Sequence, residues 1–381
     1  MIYLDNSATT RVLPEAAEAA RLAMTEQFYN PASAYPPAVE TERAVNGARA
    51  RLAQALGCAA DEVYFTSGGT ESNNMSVFGT LKSLRGKRRI ITSVVEHPSV
   101  YETFRSLEGS AETEVVLIGC NKDGTTDLAE LEQALTDETA LVSLMHVNNE
   151  VGAVNDLAAV SALLKKRAPN AVFHSDGVQA FCKLLFTRVP CDLYSVSAHK
   201  FHAPKGVGAL VARSGFKFAG GQIGGGQEKN LRSGTTNVPG ILAMDTALSV
   251  YRANQTEWVE RMRANKIRLA NALLSLPDTA LNGPAIEEGA PHILNVSFSG
   301  VRGEVLLNAL AERGIYVSTG SACSTHQKGK NRILSAMGIS GARAEGAIRF
   351  SFCAFNTPEE MDETASVIAE QIAFLRRFQR R

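Results

Sequence analysis

Three stretches of this chain place chemically capable residues directly after short apolar runs. In Thr66-Ser67-Gly68-Gly69-Thr70-Glu71-Ser72-Asn73-Asn74, two glycines open a helical pattern. Glycines let a ligand approach the backbone, and the free N–H groups of a helix start favour a phosphate. Gly69 and Thr70 are the candidate contacts, although an ordinary glycine-rich turn capped by Thr70 has the same pattern. In His174-Ser175-Asp176-Gly177-Val178-Gln179, an acid ends a buried strand, either aimed into a ligand crevice or capping the next helix. In Ser195-Val196-Ser197-Ala198-His199-Lys200-Phe201, a lysine follows a strand, with hydroxyls and a histidine just before it. Alone, such a lysine is ordinarily solvated.

Taken together, the three strand ends offer a phosphate cradle, a carboxylate and an amine. A Schiff-base lysine and an acid facing a pyridinium nitrogen are what pyridoxal phosphate requires. A fourth stretch, Ser318-Thr319-Gly320-Ser321-Ala322-Cys323-Ser324-Thr325-His326-Gln327-Lys328-Gly329-Lys330, sets a cysteine in a small, polar, glycine-flanked run. Cys323 reads as exposed and mobile, and Lys328 and Lys330 favour its thiolate. The other five cysteines (58, 120, 182, 191 and 353) have apolar or strand contexts and read as core. Neither the dinucleotide glycine fingerprint nor a P-loop is present, which weakens a dehydrogenase or ATPase reading.

The elements that position these residues alternate. Strands are predicted at Glu62–Thr66, Arg89–Val95, Thr113–Ile118, Leu141–His146, Ala171–Ser175, Asp192–Ser197 and Gly208–Ala212, with helices such as Asp127–Leu135 and Asn155–Ala168 between them. Strands apolar on both faces and alternating with helices imply a largely parallel, doubly wound sheet. From Pro239 a helical pattern runs to about Leu276. After the turn Asn282-Gly283-Pro284 come a strand (Ile293–Ser299), a helix (Gly303–Arg313), a short strand (Ile315–Ser318), another strand (Ala347–Phe352) and a terminal helix. The expected architecture is α/β, a large domain over 15–255 and a smaller α+β domain from 1–14 and 256–381. The basic tail after Arg376 reads as a helix C-terminus complementing the dipole.

Composition excludes other classes. The 381 residues carry 39 Lys+Arg against 39 Asp+Glu, whereas a chain built to grip nucleic acid shows a basic excess. Cysteines are too sparse for a disulfide scaffold, and no C-x-x-C pair offers a metal ribbon. No signal-peptide pattern and no long apolar run is present, so the expectation is a cytoplasmic enzyme without membrane contact.

The four motifs, in this order, resemble the pyridoxal-phosphate cysteine desulfurases of the class V aminotransferase group. The likeness runs nearly end to end, from Tyr3-Leu4-Asp5-Asn6-Ser7-Ala8-Thr9-Thr10 through Asn30-Pro31-Ala32-Ser33, Glu96-His97, Met145-His146-Val147-Asn148-Asn149-Glu150, Gly224-Gly225-Gly226-Gln227-Glu228 and Arg232-Ser233-Gly234-Thr235 to Ile348-Arg349-Phe350-Ser351. It implies fold type I of the pyridoxal-phosphate transferases, with a mostly parallel seven-stranded sheet, and a homodimer. Lys200 would be the Schiff-base lysine, Asp176 the partner of the pyridinium nitrogen and His97 the ring-stacking proton carrier. Gln179 would bond the ring hydroxyl, and Gly69, Thr70, Ser197 and His199 the phosphate. Thr235 would reach the phosphate of a neighbouring subunit. Arg349 would clamp the substrate α-carboxylate, with Asn149 beside it, and Cys323 would take the sulfur of L-cysteine as a persulfide.

This sequence departs from the family pattern at Tyr35, Ile223 and Ala354, and in the run after Cys323, which lacks Leu-Glu-Pro-Ser. That run bears on the protein that accepts the sulfur. An iron–sulfur scaffold and a tRNA-thiolation sulfurtransferase both remain open, as does the alternative of a selenocysteine lyase or another class V transferase.

Overall fold

The computed structural model describes residues 1–86, 88–215, 218–320 and 331–378. Along the chain it begins with β1 (Ile2–Tyr3), α1 (Pro14–Thr25), α2 (Pro36–Leu56), β2 (Val63–Thr66) and α3 (Gly69–Ser83). Next come β3 (Arg88–Ser93), α4 (Pro98–Arg105), β4 (Thr113–Ile118), α5 (Leu128–Ala134), β5 (Thr139–Ser143) and α6 (Leu157–Arg167). Three strands follow: β6 (Val172–Asp176), β7 (Leu193–Ser197) and β8 (Gly208–Ala212). The remainder is α7 (Val238–Leu274), β9 (Thr279–Asn282), β10 (Ile293–Phe298), α8 (Gly303–Glu312), β11 (Ile315–Tyr316), α9 (Arg332–Ala336), α10 (Gly341–Glu345), β12 (Ala347–Ser351) and α11 (Pro358–Leu375).

Seven strands form one sheet in the order β2-β8-β7-β6-β5-β3-β4. All neighbours are parallel except at β8, which runs antiparallel to both β7 and β2. Strand alternation sends side chains to two apolar layers. Ile90, Leu141, Val172, Leu193 and Leu210 pack with Met75 and Leu81 of α3 and Val100 and Phe104 of α4. Ile91, Val142, Phe173, Tyr194 and Val211 face the other way, onto α2, α6 and the first half of α7. Each such side chain stabilises the fold by about 1.5–3 kcal/mol through burial, so both faces resist unpeeling.

A second core lies under β12-β10-β9, an antiparallel sheet, beside the parallel pair β1-β11. Leu294, Val296, Phe298, Ile348 and Phe350 pack there with Leu306 and Leu310 of α8 and Ile368 and Ile372 of α11. Helix α7 serves both cores. Its buried residues up to Trp258 belong to the large sheet's layer, and those from Val259 to Leu273 belong to the small one. Asn237 caps it by accepting from the Gly240 N–H at 3.1 Å, and Pro239 sits in its first turn, where a missing N–H costs nothing.

Several expectations need correction. The strand expected at Leu141–His146 ends at Ser143, because Asn148 closes a turn by accepting from the N–H groups of Glu150 (2.9 Å) and Val151 (3.0 Å). The strand expected to reach Ser318 stops at Tyr316, leaving Ser318 as an isolated bridge to Arg349. The predicted N-cap at Asp156 is present, accepting from Ala158 and Ala159 N–H at 3.0 Å. The cap imagined for Thr70 is not: α3 begins at Gly69, with Gly68 before it. Helices α1 and α2 were not anticipated at all.

Candidate active site

The C-terminal ends of the parallel strands open onto a cavity of about 1080 Å³. Ten of the sequence-derived candidates line it: Gly69, Thr70, His97, Asn149, Asp176, Gln179, Ser197, His199, Lys200 and Arg349. Thr235 is exposed and is not among the cavity residues. Cys323 lies outside the described residues; Gly320 and Asn331, the described residues on either side of its run, both line the cavity.

The phosphate end is set by backbone shape. Gly68 has φ 148° and ψ −172°, a conformation that side-chain-bearing residues rarely adopt. A Cβ on Gly69 would sit 2.7 Å from the Val178 side chain, so only glycine lets α3 start this close to the turn after β6. The start of α3 thereby delivers its dipole and free N–H groups beside Ser197, the last residue of β7, and His199. Burial, with Lys200 and Lys205 nearby, lowers the His199 pKa to about 4, so its ring is neutral at pH 7.

Asp176 ends β6 and is 5% exposed. Its Oδ1 accepts from Val178 N–H at 2.9 Å and its Oδ2 from Asn73 Nδ2 at 2.7 Å. Asp176 therefore lines the cavity, whereas the helix-capping reading is not realised: the segment after β6 is a turn, not a helix, and the acid closes it. Asn73, fully buried on α3, also donates to Ser99 Oγ at 2.8 Å. Ser99 presents its own N–H (3.2 Å) and hydroxyl (2.8 Å) to His97 Nδ1. A backbone N–H must donate, so Nδ1 is the acceptor and the His97 ring proton rests on Nε2. Burial lowers the His97 pKa, against the opposing pull of Asp176.

Lys200 Nζ donates to the carbonyls of Ser7 (2.5 Å) and Ala8 (2.9 Å). The N-terminal segment thus enters the site, anchored where Ser7 N–H donates to Ser351 Oγ at 2.8 Å and Asn6 Nδ2 to Ser351 O at 3.0 Å. Arg349, at the centre of β12, is 6% exposed. Its Nη2 pairs with Asp5 Oδ1 at 2.7 Å and its Nη1 donates to Asn149 O at 3.0 Å. Two polar atoms here, Arg349 Nε and Asn149 Oδ1, are buried without a partner among the described residues, as expected where a small polar ligand belongs.

Beside His97, Glu96 is fully buried, its Oε1 accepting from Met145 N–H at 2.7 Å. Burial pushes its pKa well above the usual carboxylate range, and the Asp176 charge pushes the same way. Arg332 closes the far wall, its guanidinium 3.9 Å from the Tyr101 ring centre and donating to the Val94 and Glu96 carbonyls.

Sequence reasoning missed the site roles of Asp5, Ser7, Asn73 and Ser99. One signal was available for Asn73: Ser72, Asn73, Ser76 and Thr80 make a buried polar stripe at helical spacing on α3. No comparable pattern marks Asp5, whose partner is 344 residues away.

The donor set fits pyridoxal phosphate: a cavity lysine, a buried acid held by an amide, a neutral histidine and a glycine-framed helix start. Comparison with known proteins agrees. The chain is 38% identical over 379 residues to a cysteine desulfurase of Nostoc sp., covering 99% of this chain and 94% of that one. It is 40% identical over 383 aligned positions to the cysteine desulfurase IscS of Escherichia coli, covering 98% and 93%. Among solved structures, a NifS-like protein superposes with a TM-score of 0.91 at 36% identity, covering 98% of this chain and 99% of that one. The structure described as SspA in complex with cysteine superposes with a TM-score of 0.80 at 28% identity, covering 94% and 100%. The class-V aminotransferase model matches residues 2–364, and proteins of this family depend on pyridoxal phosphate. By fold, site and sequence, the chain belongs to the class-V aminotransferase family.

Proposed function

We propose that this protein is a cysteine desulfurase: it takes the sulfur of L-cysteine onto Cys323 and releases L-alanine. The observation that carries the reading is the meeting, around one cavity, of Lys200, Asp176, His97 and Arg349 with Gly320 and Asn331, the neighbours of the run bearing Cys323. A transaminating enzyme has no use for a cysteine at that address.

Arg349 orients the α-carboxylate of the substrate, with Asn149 assisting beside it and also lining the cofactor site. Pyridoxal phosphate, when bound, supplies an electron sink for Cα, and Asp176 keeps its ring nitrogen protonated. The Lys200 amine takes the α-proton, and His97, with its proton on Nε2, serves transfers at the substrate thiol. The Cys323 thiolate then attacks the substrate sulfur. The Cβ–Sγ bond breaks, an S–S bond forms, the electron pair left on Cβ is protonated to give the methyl group of alanine, and Lys200 returns a proton to Cα. The products are L-alanine and a Cys323 persulfide, with no external oxidant or reductant.

The remaining assignments belong to the same proposal. Gly69, Thr70, Ser197 and His199 hold the phosphate, and Gln179 meets the ring hydroxyl. Thr235, exposed on its own chain, serves the phosphate site of a second copy in a homodimer. The division into 15–255 and 1–14 with 256–381 is supported by the two cores and by the change of partner along α7 at Trp258 and Val259. The persulfide passes to a protein acceptor, an iron–sulfur scaffold or a tRNA-thiolation sulfurtransferase. None of the described helices is long and apolar enough to cross a membrane.

Incubating the holoprotein with L-cysteine and each acceptor in turn, while measuring alanine and following labelled sulfur, tests this. Alanine production with label moving to one acceptor is expected. Pyruvate or an amino-group exchange product in place of alanine would refute it.

A further inference from the structure

His292 stands immediately before β10 and is not among the cavity residues, yet it is fully buried. Its Nε2 lies 3.2 Å from Gln179 Oε1, and its Nδ1 is buried with no partner. On the other side, Gln179 Nε2 donates to the Ser7 carbonyl at 2.9 Å. A carbonyl only accepts, so the Gln179 amide cannot flip without bringing two oxygens together. Its oxygen must then point to His292, and the imidazole must carry its proton on Nε2 to satisfy it. Burial first, then Lys183, Lys266, Arg349 and Lys200, keeps this ring neutral, so a single N–H is available and it is the one in use.

We propose that His292 is a positioning residue for the cofactor: by donating to Gln179 Oε1 it fixes the amide so that an N–H faces the cavity. Gln179 has two such hydrogens; Ser7 takes one and the other is left for a cavity ligand. This rests on the pyridoxal-phosphate site proposed above, in which that hydrogen meets the ring's phenolic oxygen. A donor there stabilises the negative charge on oxygen and lowers the pH at which the bound cofactor's visible band titrates. The same line of contacts ends on Lys200, since the Ser7 carbonyl accepts from Gln179 and from Lys200 Nζ together. His292 therefore acts two groups away from the chemistry, through an oxygen it never touches.

The test uses holoprotein of the wild type, His292→Leu and His292→Gln, with spectrophotometric pH titration of the visible band and the dissociation constant for pyridoxal phosphate. Losing one charge-assisted donor is expected to raise the titration midpoint of His292→Leu by about one pH unit and to weaken cofactor binding by about tenfold. Glutamine can place an amide N–H where the imidazole Nε2 stands, so His292→Gln should titrate near the wild type. Gln179→Leu should reproduce the leucine shift, and combining it with His292→Leu should add almost nothing, because the two act as one unit. An unshifted midpoint in His292→Leu, equal shifts in the leucine and glutamine variants, or additive shifts in the double variant would each overturn the assignment. Wild type that forms no visible band with pyridoxal phosphate would instead overturn the site reading on which it stands.

Discussion

Replacing Asp5 by alanine removes the only carboxylate paired with Arg349 among the described residues. The side chains are 7% (Arg349) and 21% (Asp5) exposed, so the guanidinium is left nearly dry with one backbone carbonyl, that of Asn149. Breaking a buried pair by deleting one member costs about 3–5 kcal/mol. Asp5 retains some solvent and Asn149 O remains, so the low end, about 3 kcal/mol, applies here. At about 2.1 cal/mol/K per residue the 381-residue chain unfolds with an entropy of about 0.8 kcal/mol/K, so the expected loss in Tm is about 4 °C.

The structure adds a sharper consequence. The substrate carboxylate and the Asp5 carboxylate compete for one cation, so in Asp5→Ala a ligand carboxylate supplies the charge that is missing. Saturating L-alanine, the proposed product, contributes about 2.7 kcal/mol at a hundredfold excess over its Kd in either protein. In the variant its Kd itself should fall, so a fixed sub-saturating dose should raise Tm more than in the wild type. Asp5→Asn, which keeps an acceptor without the charge, should lie between the two. Scanning calorimetry of the three holoproteins with and without L-alanine measures this. A variant that melts within a degree of wild type, or gains no more from L-alanine than wild type does, would refute the reasoning.

Three further outcomes are expected. Cys323→Ala should retain the coloured cofactor but form neither persulfide nor alanine from L-cysteine; undiminished alanine formation would contradict the sulfur-transfer scheme. Burial holds His174 at a pKa of about 3 and His146 and His202 at about 4, whereas in the unfolded chain they titrate near about 6.5. Below that value the unfolded state binds more protons, so stability should fall as pH drops from about 6.5 to 4, by up to about 1.4 kcal/mol per unit for each ring. Urea melts at pH 7.5, 6.5 and 5.5 measure it, and a flat profile would show that these rings are not held neutral. Glu96→Gln should change stability by less than about 1 kcal/mol, because a protonated acid and an amide are alike in this dry place. Glu96→Ala leaves the Met145 N–H unpaired and opens a cavity, and should cost about 2–4 kcal/mol in the same urea assay.

Much of the architecture was legible because it is local. Short runs buried at every position marked β6, β7 and β8, and residues just after β6 and β7 became part of the cavity lining. The direction of β8 was not legible, since pattern records burial and not polarity; the strand follows β7 through a short reversal and must run back. Helices α1 and α2 were overlooked although each starts on proline, because their alanine-rich faces give a weak apolar stripe. At the site, Lys200, Asp176 and the glycine pair announced themselves by standing at strand ends. Asp5, Ser7 and His292 did not, because their meaning lies in contacts with Arg349, Lys200 and Gln179 that only the folded chain creates. Arg376, just past α11, donates instead to the Ser299 and Asp278 carbonyls of other segments, and residues 379–381 of the basic tail lie outside the described residues.

The central claim is that sulfur leaves L-cysteine for Cys323 while the carbon skeleton leaves as alanine. A single-turnover reaction of the holoprotein with L-cysteine, without acceptor or reductant, reads this directly when alanine is quantified and the Cys323 peptide is weighed. The account predicts one alanine for each peptide that has gained one sulfur atom. Alanine without added sulfur on that peptide, or sulfur found on a different cysteine, would contradict it.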